Sequence, residues 1–527
     1  MGAKQRRGSI DSEMARFGSR TAGVASSVLL SKIITLVLAG ISFIIVSRIL
    51  GPANYGLYVL AASIAGTLGA MGGLGISATF PKFIAERSSG KRDEMGELVT
   101  SGVLLVLLAG VILAALAVLL SGPIARYVFG SASYSYLVVL AALMVVATLM
   151  LDLSYSILLG LGRRLALVTI TAIQVGVQAA VSIGLALLGF GAVAPIAGAT
   201  MGFAVGAIAN LASTYRRERL SFAIPGRAAL KGLLLFSLPI GVFSTVSGAV
   251  TNLSNIVLGI FSTSAIVGNV GVALRTGGII TIAVDSVGLA LLPLFASVQA
   301  HRKGRSYTSR FYNYSVYLMF VLLAPVVLFI AILSPNISVI LFTGSYAAAP
   351  LYISIVALGL LLTVVSNYTY TLLVSRNKVV EIMKYGLAVS AVQMILVLLL
   401  VPIFKGLALI AVGSIAAPSM LLAAYLWKAN GALGIRLGWR RILGVLAVAM
   451  ISALFMIQLV LLFSKSSFII IVLAAMEQLA IYPVLLSYSG AVNAKDLAII
   501  KRLSSGIPMV GWLVGALSDY ALRFSRQ

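Results

Sequence analysis

Residues 47–86 read SRILGPANYGLYVLAASIAGTLGAMGGLGISATFPKFIAE, and this stretch decides the fold. It closes one apolar segment with a short turn that contains Gly51 and Pro52, and then opens a second apolar segment. The second segment is rich in Gly and Ala and ends at Pro81, just before charged residues return. Two long apolar segments joined by so short a turn indicate part of a membrane-embedded helical bundle.

Residues 259–299 form a degraded copy of this stretch, GIFSTSAIVGNVGVALRTGGIITIAVDSVGLALLPLFASVQ. The copy departs from the pattern at the turn, where Thr263-Ser264 replaces Gly51-Pro52. The matched residues lie 212 apart near the turn and 213 apart further on. The pairs are Gly56 with Gly268, Pro81 with Pro293, Phe83 with Phe295, Phe129 with Phe342, Tyr155 with Tyr368, and Arg163 with Arg376. The chain is therefore predicted to contain an internal duplication.

The composition excludes a soluble protein. Of the 527 residues, 61% are hydrophobic and 10% are charged, whereas a soluble domain carries roughly 25% charged residues. There is no cysteine, and the single histidine, His301, lies in a basic loop. We therefore expect no disulfide, no thiolate or histidine metal site, and no bound metal.

The apolar segments predict an all-α integral membrane protein with 14 transmembrane helices, since a spanning helix needs about 20 mostly apolar residues. The candidate spans are 22–47, 57–82, 98–121, 136–161, 165–188, 192–213, 233–260, 268–296, 312–334, 349–374, 379–402, 406–427, 442–464 and 467–489.

The positions of Lys and Arg predict the orientation of these helices. Of the 38 basic residues, 31 fall in the two ends of the chain and in the even-numbered junctions, and 4 fall in the odd-numbered junctions. Because basic residues are retained on the cytoplasmic side, both termini are expected to be cytoplasmic and the helix count even. This asymmetry also accounts for the net charge of +25 without a nucleic-acid partner.

The duplication matches helices one to six with helices seven to twelve. Both copies start on the same side, so we expect two six-helix repeats of equal orientation, related by an axis along the membrane normal, plus two C-terminal helices. The predicted domains are a cytoplasmic polar arm (1–20), an N-terminal bundle (21–220), a C-terminal bundle (221–430), helices 13 and 14 (431–490) and a cytoplasmic amphipathic tail (491–527).

The motif ILGPANYGLY after the first helix, with LFTGSYAAAPLYI before the tenth, resembles a known family. It is the polysaccharide biosynthesis branch of the multidrug/oligosaccharidyl-lipid/polysaccharide (MOP) exporter superfamily, which includes O-antigen-type flippases. The resemblance implies a non-enzymatic flippase in the cell membrane. Such a protein translocates an oligosaccharide linked to polyprenyl or dolichyl phosphate or diphosphate by alternating access. Ser31-Lys32-Ile33 is also similar to the Ser-Arg-Val of lipid II flippases, whose basic residue faces the cavity.

Five ionisable residues fall at membrane depth, where charge is costly and is by default a functional hypothesis. We expect Lys32 and Arg275 to bind the anionic headgroup of the lipid, with Asp152 and Asp285 holding them in position or coupling to an ion. The alternative is that Lys32 pairs with Asp152, and Arg275 with Asp285, only for packing. Glu477 lies outside the repeats, which favours a structural role.

Uncharged features of the helices leave further choices open. The glycines of the second helix, Gly72, Gly73 and Gly75 above all, provide either close helix packing or a gate or hinge. Glu381 and Lys384 are expected to form a surface ion pair. Tyr155 and Tyr368 are expected to pack in equivalent places. Interhelical hydrogen bonds and sugar contacts explain the remaining polar residues equally well: Gln174, Gln178, Asn252, Asn255, Asn367 and Gln393.

No nucleotide-binding motif occurs, so we expect no cofactor, and energy from a gradient of Na⁺ or H⁺ or from the membrane potential. The expected partners are the lipid-linked oligosaccharide, membrane lipids, and glycosyltransferases or a polymerase; the protein is expected to be a monomer. A cation-coupled multidrug antiporter of the same superfamily is the second hypothesis, although its acidic first-helix residue is replaced here by Lys32. A non-transporting scaffold for glycan assembly is the third.

Overall fold

The computed structural model describes residues 2–87, 92–218, 220, 226–278, 281, 304–376, 378–433, 437–462, 467–493, 496–497 and 511–522. These residues form helices and the short turns between them, and no strand occurs among them. Helices are expected for so apolar a chain, because a helix satisfies its own backbone hydrogen bonds inside a bilayer. Asp285, Pro293, Phe295 and most of the tail predicted to be amphipathic lie outside the described residues.

The chain divides into two compact units. The first contains Met1–Gly268 and Val397–Lys405, and the second contains Asn269–Leu396 and Gly406–Gln527. Contacts define these units, so the division of the chain into repeats stays a prediction. The helices that begin in the first unit are α1 (Gly2–Gly72), α2 (Ile76–Arg87), α3 (Arg92–Leu119), α4 (Ser121–Val128), α5 (Ser135–Gly160), α6 (Arg164–Leu187), α7 (Val193–Glu218), α8 (Arg227–Phe261) and α9 (264–278).

The second unit is also helical. Its helices are α10 (Gly304–Phe342), α11 (Ala349–Ser375), α12 (Val379–Ala411), α13 (Ala417–Leu433), α14 (Trp439–Leu462), α15 (Ser467–Tyr488) and α16 (Gly511–Leu522). A π-helical turn, Val412–Ala416, joins α12 to α13. Residues 397–405 of α12 belong to the first unit by their contacts.

Two of the long helices contain a break where the sequence predicts a turn between spans. Gly51 in α1 has φ 69° and ψ 175°, and Lys405 in α12 has φ 51° and ψ −128°. The described residues contain ten helices long and apolar enough to cross a membrane, and two of these, Thr35–Gly72 and Val380–Gly431, include those breaks. The sequence therefore located both turns correctly.

The predicted span 57–82 is wrong as a continuous helix. The structure ends α1 at Gly72 and begins α2 at Ile76, with a turn between them. Leu74 has φ +48° and Gly75 has φ +71°, a left-handed conformation that only glycine adopts without strain. Summed hydropathy carries no information on such a turn, because the segment is apolar throughout.

Helix α5 forms the centre of the first unit, where it packs against α1, α2, α3 and α7. Half of its residues are buried, from Leu137 at one end to Leu158 at the other. In the second unit α10 packs against α11, α14 and α15, and the buried hydroxyl of Tyr312 lies 2.6 Å from that of Thr369. Each unit therefore has its own core.

Large apolar side chains cover the outside of the helices. Ile112 is 65% exposed, Leu119 80% and Leu187 71%. Contiguous exposed apolar surface of this kind is unfavourable in water and favourable in a bilayer. The structure thus agrees with a multi-pass membrane protein.

Candidate functional site

Arg275 is the first predicted headgroup ligand that the structure describes. It lies on α9, about 16 Å along the helix axis from residue 264. Arg275 is exposed, whereas Gly268 and Gly271, which precede it on the same face of the helix, are buried. Arg275 is therefore exposed on a face of α9 that is buried nearer to the predicted external end.

Asp152 shows the same pattern on α5. It is exposed, although Ala141 and Val145 on the same face are buried and the helix is otherwise the best-buried one of its unit. Tyr155 and Leu159, toward the predicted cytoplasmic end, are half-buried. This face of α5 is thus closed toward the external end and opens at the carboxylate.

The pairing of the predicted charges stays a prediction. The backbone of Lys32 belongs to α1, but its side chain is outside the described part of the structure. The whole of Asp285 is outside the described part. Among the described residues no ion pair is formed by Asp152 or Arg275. The two described charges are therefore exposed in separate units.

The turn from Gly73 to Gly75 is packed directly on α8. A Cβ atom at Gly75 would lie 2.4 Å from the amide nitrogen of Gly241 and 2.4 Å from the carbonyl oxygen of Ser237. Gly72 is less constrained, because a Cβ there would meet side-chain atoms of Leu149 and Leu113. The predicted gating role of Gly72, Gly73 and Gly75 stays a prediction, but its structural basis is a real break in the helix.

Polar side chains join α8 to α1 and α2 over the part of α8 from Ser237 to Asn255. The hydroxyls of Thr79 and Ser237 lie 2.7 Å apart, Thr245 Oγ1 donates to Ala70 O at 2.7 Å, and Asn255 Nδ2 donates to Ser63 Oγ at 3.1 Å. We call these three contacts the polar seam. Residue numbers along α1 and α2 increase from 63 to 79 while those of their partners on α8 decrease from 255 to 237, so α8 runs antiparallel to α1 and α2.

The seam accounts for one of the polar residues whose role the sequence left open. Asn255 makes an interhelical hydrogen bond, and Asn252 Nδ2 donates to Gly248 O of its own helix at 3.0 Å. Gln174 and Gln178 line the glycine-rich face of α7, where Cβ atoms at Gly206 and Gly202 would overlap them. These four amides serve helix packing in this structure.

The matched residues Tyr155 and Tyr368 both pack in apolar clusters, and the equivalence of their places stays a prediction. Tyr368 is fully buried in the core of the second unit, and Tyr155 packs against Leu158, Ala166, Leu167 and Ile170 in the first.

Ion pairs lie at the predicted cytoplasmic ends of both units. Arg163 binds Glu218 in the first unit, with Nε 2.8 Å from Oε1. In the second, Glu381 Oε1 lies 2.8 Å from Lys428 Nζ and 3.8 Å from Lys378 Nζ. The expected pairing of Glu381 with Lys384 is wrong, because α13 brings Lys428 closer, a contact that local spacing does not reveal.

Glu477 lies on α15. Both of its carboxyl oxygens are buried and accept no hydrogen bond from the described residues. The neighbouring Gln478 accepts a hydrogen bond from Ser452 at 2.9 Å. The charged residues at membrane depth therefore differ in kind: Asp152 and Arg275 are exposed, and Glu477 is enclosed.

The long apolar helices and their exposed apolar side chains define a polytopic membrane protein, and comparison with solved structures gives its fold. The chain is similar to the lipid II flippase MurJ in an inward closed conformation, at 15% identity and a TM-score of 0.69, over 88% of this chain and 98% of that one. It is also similar to an inward-facing multidrug resistance MATE family transporter, at 16% identity and a TM-score of 0.58, over 77% and 99%.

A third similar structure is a MOP superfamily transporter from Pyrococcus furiosus, at 15% identity and a TM-score of 0.55, over 79% of this chain and 96% of that one. The fold is thus that of the MOP superfamily. Residues 23–299, more than half of the chain, match the family model for polysaccharide biosynthesis proteins, and the chain belongs to that family. No curated protein matches it.

Proposed function

We propose that this protein is a flippase that moves a lipid-linked oligosaccharide outward across the cytoplasmic membrane by alternating access between its two repeats. The carrier is a polyprenyl or dolichyl phosphate or diphosphate, and the product is used for cell-surface polysaccharide or glycoprotein assembly. Membership of the polysaccharide biosynthesis family and the MOP fold support a transport function. The substrate class rests on the charges.

Arg275 is the observation that carries the proposal. Arg275 is exposed about 16 Å along α9, and Gly268 and Gly271, which precede it on the same face, are buried. In the proposal, a headgroup that enters from the cytoplasm meets this guanidinium. A phosphate or diphosphate is the natural partner of such a cation, since guanidinium binds phosphate oxygens in pairs. Lys32, ten residues after the predicted cytoplasmic start of the first span at residue 22, supplies the second cation in this proposal.

The exposure of Asp152 supports access from the cytoplasm. Its face of α5, like that of Arg275 on α9, is buried toward the predicted external end and exposed at the charge itself. In the proposal Asp152 and Asp285 hold the cations in position or bind the coupling ion, Na⁺ or H⁺. The proposed topology has fourteen spans with both termini in the cytoplasm, and the protein acts as a monomer.

The test is flipping of a polyprenyl diphosphate-linked oligosaccharide in liposomes that contain the purified protein. Losing one charge-assisted contact costs about 1.5–3 kcal/mol, so Arg275→Ala and Lys32→Ala should each slow flipping about ten-fold or more. Arg275→Lys should keep part of the rate. Arg126→Ala, which removes an exposed arginine from α4 near the predicted external surface, is the matched control. Unimpaired flipping by both alanine variants would overturn the assignment of the headgroup site.

A cation-coupled multidrug antiporter is the second candidate, and the observation that favours it is Asp152. An exposed carboxylate at membrane depth suits a cationic drug as well as it suits a coupling ion. Uptake of a cationic dye into the same liposomes separates the two functions. If the protein is a flippase, the liposomes should take up no dye, and Asp152→Asn should leave the rate of dye uptake unchanged.

A further inference from the structure

A cluster of aromatic side chains lies at the turn between α4 and α5. Residues 127–136 read YVFGSASYSY, and we call them the aromatic turn. The ring centroids of Phe129 and Tyr134 are 6.0 Å apart, and those of Tyr134 and Tyr136 are 6.5 Å apart. Tyr127 is 72% exposed and Tyr136 is 47% exposed. The turn thus presents neighbouring aromatic rings at a surface that the charge pattern places outside.

The backbone of the aromatic turn is held in place on both sides. Val128, at the end of α4, and Leu137, near the start of α5, are buried. Between them, Ser131 Oγ accepts a hydrogen bond from Ser133 N at 3.3 Å, and the two hydroxyl oxygens lie 2.8 Å apart. The rings therefore project from an ordered turn, which lowers the entropy that is lost when a ligand binds.

The matched turn of the second copy shows that the fold does not need tyrosines at this surface. Its backbone is similar, since Thr343 has φ 66° where Gly130 has φ 77°. Its aromatic pair, Phe342 and Tyr346, is buried. At the positions 213 residues after the three tyrosines of the aromatic turn, the second copy has an isoleucine and two alanines: Ile340, Ala347 and Ala349. The exposed tyrosines therefore distinguish the first copy from the second.

Anchoring in the membrane interface is the ordinary role of exposed tyrosines, but it does not explain this difference. Aromatic residues are enriched at both interfaces of membrane proteins. The two matched turns are predicted to lie on the same face of the membrane, where a need for anchors applies to both. A role that belongs to one copy alone is better explained by a ligand.

The composition of the aromatic turn indicates the kind of ligand. Its ten residues include three tyrosines, three serines and no charged residue. A sugar ring carries C–H groups on its faces and hydroxyls at its edges. The C–H groups pack on the electron-rich faces of aromatic rings, and the hydroxyls form hydrogen bonds with serine and tyrosine hydroxyls. An uncharged surface of tyrosines and serines therefore suits a glycan.

We propose that the aromatic turn is a glycan-binding site on the external face, which holds the oligosaccharide of the lipid after it has crossed the membrane. The inference rests on the proposed flippase function, which brings a glycan to this face. The site contacts the sugar chain, whereas Lys32 and Arg275 are proposed to contact the phosphates. Single aromatic contacts are weak, which suits a product that has to leave again.

Binding of a free oligosaccharide to the full chain in nanodiscs tests the site without requiring transport. The probe is the water-soluble oligosaccharide released by mild acid from the polyprenyl diphosphate-linked oligosaccharide of the flipping assay, and NMR titration gives its dissociation constant. Tyr127→Ala and Tyr136→Ala should each weaken binding about 2- to 10-fold, because each removes one aromatic contact. Tyr136→Phe, which keeps the ring, should weaken binding less than Tyr136→Ala.

Phe190→Ala is the matched control. Phe190 is 54% exposed in another predicted external turn, between α6 and α7, so its loss should leave glycan binding unchanged. An equal loss of binding in this variant would reveal a general effect of interfacial aromatics and would contradict the site. Unchanged binding in both tyrosine-to-alanine variants, or no binding by the wild-type protein, would overturn it too. The melting transition of each variant shows that it is folded.

Protection from a cysteine reagent locates the bound glycan, since the chain contains no cysteine of its own. Ala132 is exposed within the aromatic turn, and Ala53 is exposed in another predicted external turn. In proteoliposomes with the external face outward, saturating oligosaccharide should slow the reaction of Ala132→Cys with an impermeant maleimide several-fold. The reaction of Ala53→Cys should not change. Equal rates with and without the oligosaccharide at position 132 contradict the proposed location.

Flipping of the intact lipid-linked oligosaccharide separates this inference from the proposed function. If the protein flips the lipid but binds the free glycan equally well without the two tyrosines, the glycan site is wrong and the flippase function stands. If the protein binds the glycan through the tyrosines but flips no such lipid, the glycan site stands and the flippase function is wrong.

Discussion

Gly75 has two reasons to be glycine. Its φ of +71° is left-handed, and a Cβ there would lie 2.4 Å from backbone atoms of α8. The conformation costs another residue about 1–2 kcal/mol, and overpacking costs about 1–3 kcal/mol. Gly75→Ala should therefore lower the melting temperature of the purified protein clearly. Gly69→Ala, in the helix and open to space, should leave it equal or slightly higher. Equal melting of the two variants would show that the turn is not constrained.

The charged residues show what can and cannot be predicted from the sequence about single side chains. Arg275 and Asp152 stood out because charge inside an apolar segment is rare, and the structure leaves both exposed. The ion pair between Glu381 and Lys428 could not be predicted in the same way, because the two residues are 47 positions apart and meet only in the folded chain. The sequence shows which charged residues lie inside apolar segments, but only the folded structure shows which residues they contact.

Helix α8 is tied to α1 and α2 by the polar seam rather than by shape alone. Polar pairs between membrane helices contribute about 0.6 kcal/mol on average and at most about 1.7 kcal/mol. A double-mutant cycle of Thr79→Val and Ser237→Ala should therefore give a coupling free energy of about 0.5–1.5 kcal/mol in unfolding measurements. The control cycle of Thr148→Val with Ser237→Ala should give none, since Thr148 Oγ1 bonds to Met144 O of its own helix. Zero coupling in the first cycle would remove the seam as a stabilising feature.

The elements themselves were largely predictable. Runs of about 20 apolar residues identify helices reliably, and Gly51 and the Pro402–Gly406 region marked turns that the structure places at Gly51 and Lys405. The break at Gly73–Gly75 was not predictable as a break. Its apolar residues satisfy the pattern of a span, and the turn is set by contact with Ser237 and Gly241, which are distant in sequence.

At the scale of the whole molecule, the charge asymmetry predicts sides for every turn. The chain contains no cysteine, so single cysteines can be introduced one at a time. The cysteines of the variants Ala53→Cys and Ser345→Cys should react with an impermeant maleimide added outside intact cells, because both positions lie in predicted external turns. Ser489→Cys, after α15, should react only after the membrane is permeabilised. Labelling of the cysteine at position 489 from outside would contradict the cytoplasmic C-terminus.

The internal duplication relates single residues to the architecture of the whole molecule. It was visible in the sequence as matched residues 212 apart, and the structure adds that Gly56 and Gly268 of the two copies touch each other. Matched residues such as Gly56 and Gly268 provide close helix packing. The unsymmetric charges, Lys32 in the first copy and Arg275 in the second, distinguish the copies and define the proposed headgroup site.

Flipping by the purified wild-type protein tests the central claim most directly. Liposomes with and without the protein receive a polyprenyl diphosphate-linked oligosaccharide in one leaflet, and an impermeant glycan-modifying enzyme measures its arrival in the other. The account predicts transfer well above that of protein-free liposomes, slowed about ten-fold or more by Arg275→Ala and unaffected by Arg126→Ala. Transfer no faster than in protein-free liposomes, from protein shown to be folded by its melting transition, would contradict it.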